Sequence, residues 1–123
     1  MNKDWIKKLQ NRSFEFALSS IRLFQQLPPQ AESKIIGKQM MRAATSVGAN
    51  YRAACRAKSL ADFVYKLKIV VEEADEVEYW LSLLMKVHPE KEASFAYLMN
   101  EASALRAIFS KSMSTAKQKL KSR

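Results

Sequence analysis

Only two glycines and three prolines occur in 123 residues. An all-β or α/β domain turns often, and its turns rely on residues that accept a positive φ or preset a bend. Two glycines cannot supply them, so the chain reads as long helices with few connections. Cysteine is nearly absent as well. Cys55 stands alone, which excludes an internal disulfide, offers no metal-ligand spacing and suits a reducing cytoplasm. No run of roughly 18 or more apolar residues exists, so no membrane span is expected. The opening stretch from Met1 to Asn11 is polar and basic and lacks the continuous apolar run of a secretory signal.

What is present fits one domain with one core. Hydrophobic residues make up 48% of the chain, enough to exclude wholesale disorder. Lysine and arginine number 21 against 12 acidic residues, a formal charge of +9. Such a field attracts polyanions: RNA, DNA or an acidic membrane surface.

Four helical segments follow from spacing and breaks, at about residues 12–27, 32–58, 60–87 and 90–119. Phe14, Leu18, Ile21 and Phe24 give the first an apolar repeat, and Pro28-Pro29 ends it. Residues before Asn11 either continue that helix or form a loose arm. The second turns Ile36, Met40, Ala43, Val47 and Ala54 inward. Gly48 in its middle is a weak point, or a place where another helix comes close. Ser59 has the chemistry of an N-cap, with Asp62 three residues on. The third helix is the most regular, since Phe63, Leu67, Val70, Ala74, Val77, Leu81 and Leu84 alternate spacings of four and three. His88-Pro89 stops it. Phe95, Leu98, Leu105, Ile108, Phe109, Met113 and Leu120 supply the face of the fourth. Short breaks between long helices predict an all-α, antiparallel up-down-up-down bundle.

Charge is sorted by helix. On the second, Lys34, Lys38, Arg42, Arg52 and Arg56 fall within an arc of about 80°, opposite its apolar stripe. Three readings stand: a phosphate-binding stripe, cations that pair with carboxylates of another subunit, or a plain solvated face. The third helix carries Glu72, Glu73, Asp75, Glu76 and Glu78 within seven residues. It also carries a second apolar stripe beside its core seam: Tyr65, Ile69, Trp80, Leu83 and Val87, interrupted by Glu76. That extra stripe predicts a subunit interface, the alternative being a broad core face. Arg42 or Arg52, from another helix or subunit, is the natural partner for Glu73 or Glu76.

Catalytic chemistry finds no foothold. A di-iron bundle needs Glu-x-x-His on two helices, and His88 is the only histidine. Cys55 has no histidine near it in sequence, and no glycine-rich phosphate loop exists. No catalytic residue, metal, cofactor or small-molecule substrate is expected.

The run Ser46-Val47-Gly48-Ala49-Asn50-Tyr51-Arg52-Ala53-Ala54, followed by Ser59, Asp62-Phe63 and Lys66-Leu67, resembles the bacterial 23S rRNA-intervening-sequence proteins. So do Ser13-Phe14-x-Phe16-Ala17-Leu18 and Glu73-Ala74-x-Glu76-x-x-x-Trp80-Leu81. The usual family pattern is Ser-Ile-Pro-Ala-Asn-Ile-x-Glu-Gly; Gly48 stands here in place of its proline and Ala53-Ala54 in place of Glu-Gly. Ser46 and Asn50, which are retained, flank the apolar face of their helix and read as polar groups bonding between helices. The resemblance implies a left-handed bundle that assembles as a homopentamer. A related bundle is an accessory subunit of retroelement reverse transcriptases, where it engages nucleic acid and the polymerase.

Overall fold

A computed structural model describes residues 2–122. Four helices account for nearly all of them: α1 (Lys3–Gln25), α2 (Ala31–Cys55), α3 (Leu60–Val87) and α4 (Glu92–Lys121). A single 3₁₀ turn, Pro89–Lys91, joins the last two, and no strand occurs among the described residues. The helices pack on one another around one core.

Local chemistry explains the ends. Asn2 caps α1, its side chain accepting from the backbone N–H groups of Asp4 and Trp5 at 2.7 and 3.3 Å. The helix therefore starts at Lys3, well before residue 12. Ser59 caps α3 by accepting from the Asp62 N–H at 3.0 Å. The Asp62 carboxylate reaches back to the Lys58 N–H and also pairs with Lys66. These satisfy amide donors that a helix start leaves without intrahelical partners.

Contacts run in opposite chain order along neighbouring helices. Between α1 and α2, Ser13 faces Gly48 while Phe24 and Leu27 face Gly37. Between α2 and α3, Ser33 meets His88 while Arg42 meets Glu73 and Glu76. Leu67, Val70, Ala74, Val77, Leu81 and Leu84 form a fully buried seam along α3, and Phe63 packs at its edge.

The inward face of α1 differs from the expected one. Leu9, Ser13, Phe16, Ser20 and Leu23 are buried, whereas Phe14 is 66% exposed. Two serines stand in the core repeat because each hydroxyl donates to a carbonyl of its own helix: Ser13 to Gln10 at 3.0 Å, Ser20 to Ala17 at 2.6 Å. Such a hydroxyl is buried with its hydrogen bond made, and its small bulk lets α1 lie close to α2. Leu120, expected on the core face of α4, is also exposed.

Candidate functional site

The five cations of α2 do not act as one set. Arg42 bridges to α3, donating to Glu73 at 3.3 Å and closely to Glu76. It neutralises part of the carboxylate run and is a tie between helices in this chain. Lys34 lies over the Phe24 ring, its Nζ 5.0 Å from the centroid. Lys38, Arg52 and Arg56 are exposed. Among the described residues none of these four lies within ion-pair distance of a carboxylate. What remains is a four-cation face on the side of α2 away from its buried residues.

The stripe on α3 is uneven. Tyr65 and Val87 are exposed, Ile69 and Leu83 are half-buried, and Glu73 and Glu76 are occupied by Arg42. Trp80 is not an outward ridge. It packs against the core with its indole N–H buried and unpartnered, and Tyr79 meets it edge-on at 4.9 Å. Ile35 of α2, 65% exposed, is a further apolar residue that sequence spacing did not single out. Periodicity finds stripes within one helix, so a lone isoleucine on the polar side of α2 carried no signal.

Ser46 and Asn50 also differ from expectation. Ser46 Oγ donates to the Arg42 carbonyl at 2.8 Å, and Asn50 Nδ2 donates to the Ser46 carbonyl at 2.8 Å. Both bonds stay within α2. A short polar side chain reaches the carbonyl one turn back more readily than it reaches a neighbouring helix.

Two polar clusters were missed because their members are far apart in sequence. Glu78 of α3 accepts from Ser103 at 2.7 Å and binds Arg106 of α4 closely. Burial pushes the Glu78 carboxyl up, but the hydrogen bonds from Arg106 and Ser103 and the charge of Arg106 bring it below its ordinary value. The second joins Ser33, His88 and Glu90, with Ser33 Oγ 2.5 Å from His88 Nε2 and Glu90 3.4 Å from Nδ1. The order is that of a hydrolase triad, but Ser33 is completely buried, so no substrate reaches its hydroxyl. The cluster ties the α3–α4 turn to the first turn of α2. No group of three or more His, Cys, Asp or Glu side chains is placed to hold a metal among the described residues. Among the described residues no helix is long and apolar enough to cross a membrane.

A family model described as 23S rRNA-intervening sequence protein matches residues 7–111. The chain belongs to that family. A crystal structure of a protein of unknown function, from the S23 ribosomal protein family of Bacteroides thetaiotaomicron VPI-5482, is similar to it. The two share 32% identity with a TM-score of 0.78, over 85% of this chain and 97% of the other. No curated protein matches the chain. Neither description names an enzymatic activity. The match to the 23S rRNA-intervening sequence family takes in the whole cationic face of α2 and the outward stripe of α3. It leaves out Trp5 and the last turns of α4.

Proposed function

We propose that the chain is a non-catalytic, cytoplasmic four-helix bundle, left-handed and up-down-up-down, that assembles with copies of itself and holds RNA or DNA by the phosphates. The observation that carries this reading is the cationic face of α2. Lys34, Lys38, Arg52 and Arg56 share one side of a helix and have no carboxylate partner among the described residues. Cations in a row along a rigid helix can follow a sugar-phosphate backbone and release its condensed counterions without reading bases. Arg42 drops out of the set because Glu73 and Glu76 already hold it.

Binding of a short duplex should weaken roughly 100-fold between 50 and 200 mM salt, as four phosphate contacts imply. Replacing Lys34, Lys38, Arg52 and Arg56 together by glutamine should abolish it, and Arg42→Gln should leave the salt slope unchanged. Binding indifferent to salt, or none at low salt, refutes the proposal.

Assembly is supported by apolar side chains left facing outward: Phe14 on α1, Ile35 on α2, Tyr65 and Val87 on α3. The assembly proposed is a homopentamer, the form that the family resemblance implies. These same side chains favour a second reading, an interaction scaffold in which the basic face of α2 meets an acidic protein. Capture of protein that survives nuclease treatment, with no nucleic acid recovered, selects that second reading.

A further inference from the structure

A groove of about 750 Å³ opens where α1 begins, between Trp5, the first turn of α3 at Leu60 and Phe63, and the C-terminal half of α4. Its origin is a difference in helix length. Arg12 pairs with Glu101, both guanidinium bonds being 2.8 Å, and Trp5 shares the groove with Ile108. The start of α1 therefore stands beside the residues just past Ile108, while α4 continues to Lys121. That overhang is roughly 16 Å long at 1.5 Å per residue. Along it α4 lacks the neighbour that α1 supplies elsewhere.

The vacancy has the size and the lining of a helix site. Two turns of a helix about 10 Å across take up roughly 850 Å³, close to the groove's volume. Trp5, Leu60, Phe63 and Ile108 make its wall apolar, and among the described residues its charged lining consists of Lys111 and Lys119. Both lysines are exposed, and neither has a carboxylate within ion-pair distance among the described residues. Trp5 and Lys119 lie outside the matched residues 7–111, whereas Leu60, Phe63, Ile108 and Lys111 lie within them.

We propose that the groove receives an acidic amphipathic helix of a partner protein. The helix lies in line with α1, its apolar side on Trp5, Leu60, Phe63 and Ile108, its carboxylates reaching Lys111 and Lys119. Apolar anchors spaced three and four residues apart fill such a slot, and the lysines select acids over bases at its rim.

Trp5 reports occupancy, since Trp80 is the other of the two tryptophans. In a Trp80→Phe chain, a capped leucine/glutamate peptide of about four turns should shift Trp5 emission to the blue and saturate. The matching leucine/lysine peptide should not. Lys111→Glu with Lys119→Glu should weaken the acidic peptide by about tenfold and admit the basic one. Lys38→Gln with Arg52→Gln should change neither result, which keeps this site separate from the basic face of α2. Should Trp80→Phe fail to fold, fluorotryptophan in the unaltered chain gives the same report by ¹⁹F NMR. Four results overturn the proposal: no saturable change; an equal response to both peptides; a shift with dodecanoate but not with peptide; or Trp5 emission that follows protein concentration alone, which assigns the groove to a second copy.

Discussion

Tyr51 holds the least comfortable atom of the core. Its ring is buried against Phe109, centroids 4.8 Å apart, yet its phenol oxygen is buried without a hydrogen-bond partner. Burial pushes the phenol's pKa up, and neighbouring Cys55 acts in the same direction, so the group stays neutral. An unsatisfied buried hydroxyl costs about 1–3 kcal/mol. Tyr51→Phe keeps the ring contact and deletes the orphan oxygen. Stability by urea denaturation should hold or rise by up to about 1 kcal/mol. A loss larger than that would mean the hydroxyl has a partner in solution. Trp80 poses the same problem, but its indole fills more space and no isosteric replacement isolates the N–H.

Helix α1 shows how much of an element can be read from its residues and where the reading stops. The α3 seam was legible because every buried position in it is apolar. In α1 the buried repeat includes Ser13 and Ser20, so the visible apolar spacing of Phe14, Leu18 and Ile21 pointed to the wrong face. Nothing in sequence separates a serine that bonds its own helix from one that meets water. Of the candidate site, the Arg42 link to Glu73 and Glu76 was legible because a dense run of acids demands a cation nearby. Arg106 and Ser103, which serve Glu78, were not, since only packing brings α4 there. The serines also explain Gly48. A Cβ there would lie 3.3 Å from Ser13 Oγ and 3.4 Å from the Ser13 carbonyl oxygen. Oγ is engaged by Gln10 and the carbonyl is helix backbone, so α1 itself would have to shift. Alanine gains up to about 1 kcal/mol of helix propensity, but overpacking costs about 1–3. Gly48→Ala should therefore lose about 1 kcal/mol and Gly48→Val more, by denaturation midpoint. A stabilised alanine variant would show that the α1–α2 spacing yields freely.

At the scale of the molecule, ion pairs among the described residues join three helix pairs: Arg12–Glu101 for α1 and α4, Arg42 with Glu73 and Glu76 for α2 and α3, Glu78–Arg106 for α3 and α4. The Glu78 carboxyl is held below its ordinary value, so what it contributes is complete well above about pH 4.3 and is lost as pH falls from there through the depressed value. Arg106→Met removes the cation and leaves burial to raise Glu78. The variant should be less stable by of order 1 kcal/mol at neutral pH, and the difference in thermal midpoint should shrink as pH falls from the variant's raised Glu78 value to the native chain's depressed one; a gap that widens on acidification contradicts this. These bonds are internal and leave the outward apolar residues without cover. Ile35 is 65% exposed and Tyr65 64%, and both can become lysine without disturbing the chain's own core. Trp80 is unsuited to that test, because it packs against the core and a lysine there would disturb the protomer itself. If copies associate through these side chains, the native protein should sediment as an oligomer with a midpoint that rises with concentration. Ile35→Lys with Tyr65→Lys should give a folded monomer whose midpoint is independent of concentration. A native protein that sediments as a single chain at micromolar concentration leaves those side chains exposed in solution and removes the argument for assembly.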